Sequence, residues 1–139
     1  MPEPATRRGI NHVEIYVSDL RRSVEFWGWL LLEVGFEPYQ EWEEGRSWRC
    51  GASYIVLVQS AEPHRSQGFH RRRPGLNHVA LWAGPGDRVL ELTEQLRQRG
   101  VPILYEDRRE GETGAPSRWT VWFEDPDRIK VELVSSDSE

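Results

Sequence analysis

The sequence predicts an α+β chain made of two tandem βαβββ modules that together form a mixed sheet. Three observations carry this. Gly9-Ile10-Asn11-His12-Val13-Glu14-Ile15-Tyr16-Val17 returns as Gly75-Leu76-Asn77-His78-Val79-Ala80-Leu81-Trp82-Ala83. Each copy is followed by apolar residues at helical spacing, and then by short apolar segments separated by glycine or turn residues. An internal repeat of this kind sets the architecture before any single residue is interpreted.

The elements follow in order. Residues 1–8, polar and proline-containing, are expected to form a loose arm. Residues 10–17 are apolar and β-branched enough for a strand. Ser18 or Asp19 can cap the helix marked by Leu20, Val24, Trp27, Leu30, Leu31 and Val34, and Gly35 ends it. Trp27 and Trp29 are two apart and cannot share a helix face. Segments 39–43, 47–50 and 53–58 read as strands. In the second copy, 76–83 is a strand and Asp87 a helix cap. Val89, Leu92, Leu96 and Arg99 mark a helix ending at Gly100. Segments 103–106, 118–123 and 129–134 read as strands, with Asp125-Pro126-Asp127-Arg128 a tight turn between the last two.

A module of about 65 residues buries little apolar surface alone. We therefore expect one domain over 1–139, with modules 9–59 and 75–135 joined by the linker 60–74. The net charge of −5 argues against nucleic acid as the main partner. Cys50 is the only cysteine, so an intrachain disulfide is excluded and a reducing, cytoplasmic setting is expected. The residues after Met1 lack an apolar h-region, and the apolar run Trp29–Leu32 is too short for a membrane span.

Strand alternation places His12, Glu14 and Tyr16 on one face, and His78, Ala80 and Trp82 on the matching face of the repeat. Lys130, Glu132 and Val134 point together in the last strand. A carboxylate in that apolar stretch is costly to bury unless it is paired or bound to a cation. Two histidines and one glutamate can make a metal site with positions left open for water or substrate, suited to Zn, Fe, Mn, Ni or Co. A lone strand histidine is more often structural; the equivalence of the two across the repeat raises the metal reading.

Asn11-His12-Val13-Glu14-Ile15-Tyr16-Val17-Ser18-Asp19, Asn77-His78-Val79-Ala80, Phe123-Glu124-Asp125-Pro126-Asp127 and Val131-Glu132-Leu133 resemble, in this order, the vicinal oxygen chelate superfamily. That superfamily includes glyoxalase I, extradiol dioxygenases, fosfomycin-resistance transferases and bleomycin-resistance proteins. The resemblance covers about residues 9–135. It implies a glyoxalase-like fold, a homodimer, a small-molecule substrate and a divalent metal at His12, His78 and Glu132. It further implies a lyase or isomerase acting on vicinal oxygens. The alternatives are a ring-cleaving dioxygenase, a thiol transferase, or a sequestering protein of the bleomycin-resistance type. Glyoxalase I-like members add a fourth, acidic ligand near the end of the first module. Here that stretch sets Leu57 opposite Glu132, with Gln59 one step further on the same face. Gln59 is thus a fourth ligand, a substrate contact or merely a strand end.

Glu14 is the candidate proton-transfer residue, against a plain ion pair with an arginine. Trp48, Trp82 and Trp122 are candidate pocket residues, against ordinary core packing. Phe69-His70-Arg71-Arg72-Arg73 reads first as a solvated linker, and second as a patch that attracts an anionic substrate.

Overall fold

The computed structural model describes residues 6–109, 112 and 114–137. Most of the expected N-terminal arm and part of the 107–117 loop lie outside the described residues. The chain divides into two compact units, Met1–Ser66 and Gln67–Glu139. The first unit runs β1 (His12–Val17), α1 (Leu20–Glu33), β2 (Glu37–Trp42), β3 (Gly45–Cys50), β4 (Ser53–Gln59) and the short α2 (Glu62–Arg65). The second runs β5 (His78–Gly84), α3 (Gly86–Gln98), β6 (Thr120–Glu124) and β7 (Lys130–Ser135).

The first sheet has the order β1-β4-β3-β2, with β1 and β4 parallel and the other pairs antiparallel. The second has the order β5-β7-β6, with β5 and β7 parallel. The repeat is therefore kept: in each unit the first strand pairs in parallel with the last, and the helix leads to the strand at the far edge. The fourth strand expected at 103–106 is reduced to a single bridge between Ile103 and Phe123. Pro102 has no N–H to give a ladder, and Tyr105 turns to φ 64°, which ends extended backbone there.

The two long helices, α1 and α3, stop in the same way. Gly35 and Gly100 take positive φ (97° and 75°), and the next residue turns back to close the helix end. Phe36 N–H donates to Leu31 O at 2.8 Å, and Val101 N–H to Leu96 O at 3.0 Å. At the N-terminus of α1 the Asp19 side chain accepts from Arg22 N–H at 3.2 Å. The cap expected of Asp87 is not found. Pro85 occupies that position without a side-chain bond, and Asp87 sits inside the first turn, where its charge still favours the helix dipole.

Helices α1 and α3 each pack on one face of their own sheet. Trp27, Leu30 and Leu31 of α1 are fully buried, as are Val89, Leu92 and Leu96 of α3. Truncating any of these leucines would cost about 2–5 kcal/mol through lost burial and the cavity left behind. Trp29 takes a partly exposed position. The opposite sheet faces carry His12, Glu14 and Tyr16 in one unit, and Ala80, Trp82 and Glu132 in the other. Tyr16 is 67% and Trp82 69% exposed. Among the described residues no helix is long and apolar enough to cross a membrane.

Candidate functional site

In the first unit, His12 begins β1 beside Tyr54 of β4, and the two rings stack with centroids 4.5 Å apart. Its Nδ1 lies 2.6 Å from Oδ1 of Asn11. In the second unit, His78 begins β5 beside Lys130 of β7, and its Nδ1 lies 2.7 Å from Oδ1 of Asn77. An amide oxygen can only accept, so Nδ1 carries the proton in both rings. The Nε2 lone pair is left free to coordinate. Sequence reading found the Asn-His pair but not this role for the asparagines.

Glu132 lies diagonally across from His78. Its Oε1 is 3.6 Å from His78 Nε2, beyond hydrogen-bond range. Its Oε2 accepts from the Thr120 hydroxyl at 2.8 Å. A ring lone pair and a carboxylate oxygen facing each other call for a cation or proton between them. Two donors each about 2.0–2.2 Å from one metal are separated by roughly 3–3.6 Å. These two of the three expected ligands are therefore spaced as a divalent ion requires. Asn11, Asn77 and Thr120 orient the His12, His78 and Glu132 side chains through these hydrogen bonds. Among the described residues, no group of three or more His, Cys, Asp or Glu side chains forms a ready-made metal site. Thr120 was legible only as a member of the alternating face Thr120, Trp122, Glu124 of β6.

Around His78 the open face is aromatic and cationic. The ring meets Trp122 edge-on, with centroids 4.7 Å apart. Lys130 Nζ sits 4.9 Å from the Trp122 ring centroid and 3.3 Å from the Tyr105 hydroxyl. Tyr105 was missed in the sequence because its segment reads as a strand. Trp82 lies exposed on the same face of β5, two residues beyond Ala80.

Three sequence expectations change. Trp48 does not line a pocket: it is buried on the helix side of β3, where a Cβ added to Gly28 of α1 would meet its ring at 3.4 Å. Leu57 is not the counterpart of Glu132. His12 pairs Tyr54 while His78 pairs Lys130, so Val56, opposite Glu14, matches Glu132, opposite Ala80. A one-residue slip flips the face, and Leu57 and Gln59 point to the helix side. There the Gln59 amide is committed to backbone. Its Oε1 accepts from Leu20 N–H at 2.9 Å, and its Nε2 donates to Ser18 O at 2.8 Å, joining the end of β4 to the start of α1. Glu14 is exposed on the His12 face, and among the described residues it forms no ion pair with an arginine.

Comparison with known proteins agrees with the fold. The family model for the Glyoxalase/Bleomycin resistance protein/Dioxygenase superfamily matches residues 9–133. The uncharacterized protein YqjT of Bacillus subtilis is 46% identical over 91% of this chain and 98% of its own length. The glutathione transferase FosA of Serratia marcescens is 29% identical over 91% of this chain and 79% of its own. The crystal structure of a proposed glyoxalase from Bacillus halodurans superposes with a TM-score of 0.84 at 48% identity, covering 91% of this chain and 94% of that one. The chain belongs to the Glyoxalase/Bleomycin resistance protein/Dioxygenase superfamily.

Proposed function

We propose that this protein is a divalent-metal-dependent enzyme, a lyase or isomerase, acting on a small molecule with two adjacent oxygens. His12, His78 and Glu132 are the ligands in this reading. The observation that carries it is the repeated tautomer lock. Two asparagines, one in each unit, leave two equivalent histidine Nε2 atoms free, and one of them faces a carboxylate. When bound, the cation would stabilise negative charge developing on the chelated oxygens and acidify the adjacent C–H.

The remaining work falls to the chain's own residues. Glu14 stands two residues from His12 on the same strand face, roughly 6.5–7 Å along the strand. With no arginine partner among the described residues, it is the carboxylate that takes up or returns the proton. Trp82, Trp122 and Tyr105 offer aromatic surface to the substrate, and Lys130 adds positive charge beside it.

The test is a panel of 2-oxoaldehyde–thiol adducts, catechols and epoxides assayed with Zn, Mn, Ni, Co and Fe(II). Turnover of one class that disappears in Glu132→Ala and falls steeply in Glu14→Gln supports the reading. The exposed Tyr16 and Trp82 favour one second reading, a protein that sequesters an aromatic ligand. Tight ligand binding by metal-free protein, without turnover, would select it.

A further inference from the structure

The second unit holds a pocket of about 220 Å³ lined by Phe69, His70, Arg71, Arg72 and Arg128. None of these residues belongs to the metal reading. Arg71 Nη1 and Arg128 Nε lie 3.0 and 3.3 Å from the same oxygen, Oε2 of Glu124. One carboxylate oxygen therefore positions two guanidiniums. The Arg72 guanidinium forms no ion pair among the described residues. Arg72 N–H donates to His70 Nδ1 at 3.1 Å, so the neutral ring carries its proton on Nε2 and offers a further donor. Among the acids of the adjacent turn, Asp125 has Oδ1 turned inward onto Asp127 N–H and Ile129 N–H at 2.8 and 2.7 Å.

Arg128 adds an independent observation. It sits at φ 69°, in the left-handed region that favours glycine. The turn would form more readily with glycine, yet it carries an arginine whose side chain reaches the pocket wall. A strained backbone residue of this kind is a pointer to function.

We propose that Arg71, Arg72 and Arg128 bind an oxyanion, the phosphoryl or carboxylate group of a small molecule. Guanidinium forks match such groups through paired, charge-assisted hydrogen bonds. The Phe69 ring gives one apolar wall, and the volume admits atoms beyond the anionic group itself. This local cluster of arginines stands in a chain whose overall charge is −5.

The experiment is calorimetric titration of metal-stripped protein with inorganic phosphate and with malonate, against chloride at equal ionic strength. Saturable binding is expected for one of the two anions, weakened at least about tenfold in Arg72→Gln and in Arg128→Gly. Tighter phosphate assigns a phosphoryl ligand, and tighter malonate a carboxylate. Arg128→Gly suits the backbone at that position, and a thermal melt verifies that it folds. Phosphate and malonate heats that match chloride, or unchanged affinity in Arg128→Gly, would overturn the proposal. Because the protein is stripped of metal, neither result depends on the metal reading.

Discussion

Asn77 Oδ1 lies 2.7 Å from His78 Nδ1, and Asn11 holds His12 in the same way at 2.6 Å. This contact fixes the tautomer and aims Nε2. In Asn77→Ala the ring can adopt either tautomer and turn, so divalent-metal affinity is expected to fall about 10–100-fold with little change in melting temperature. Asn77→Asp keeps an acceptor and is expected to retain most of that affinity. Titration of both variants with Mn or Zn checks the pair.

Thr120→Val removes the hydroxyl that holds Glu132 Oε2 while keeping the side-chain shape. The expected result is roughly a tenfold weaker metal affinity and a stability loss of about 1 kcal/mol. A wild-type affinity in Thr120→Val would show that the carboxylate needs no such partner.

The β6–β7 turn separates two effects at neighbouring residues. Asp125 Oδ1 satisfies two backbone donors, one of them on buried Ile129. Asp125→Ala leaves them without a partner and is expected to cost about 1–3 kcal/mol. Arg128→Gly relieves about 1–2 kcal/mol of left-handed strain but adds roughly 0.5–1 kcal/mol of unfolded-state entropy. The net is a gain of about 0–1.5 kcal/mol, read as a melting temperature unchanged or a few degrees higher. A clear drop would mean that the arginine side chain contributes more than its backbone costs.

Asp137 has its carboxyl held below the usual aspartate value of 3.8, chiefly by the hydrogen bond from the Ser135 hydroxyl. The Gly86 backbone N–H and the Arg118 charge act the same way, against partial desolvation. A depressed pKa in the folded state stabilises the fold above the unfolded value and is lost as pH falls through the folded one. Stability should therefore decline below about pH 4, and Ser135→Ala should make that decline shallower. Urea unfolding at pH 3 and pH 6 measures the difference.

The legible part of this chain was whatever a local pattern determines. The Asn-His repeat, both glycine-ended helices and the Asp-Pro-Asp turn depend on residues within a few positions of each other, and each stands where the sequence puts it. The register of β4 was not legible. Ile55, Val56 and Leu57 are all buried, so the run has no alternation to say which residue faces which side. That ambiguity shifted the expected counterpart of Glu132 by one residue and placed Gln59 on the wrong face. Trp48 misled for a related reason: in a strand, burial against a helix and exposure to a pocket look the same until the register is known. The second unit's missing strand turned on Tyr105, whose left-handed backbone no propensity foretells.

The most direct measurement is the metal content of the purified, extensively dialysed protein after loading with Mn, Zn, Ni, Co or Fe(II). Samples are wild type, His12→Ala, His78→Ala and Glu132→Ala, each shown to be folded by its thermal melt. Wild type is expected to hold one equivalent of one of these metals, and all three variants to lose it. Metal retained in His12→Ala or Glu132→Ala at the wild-type level, or a wild type that takes up none, would contradict the metal reading.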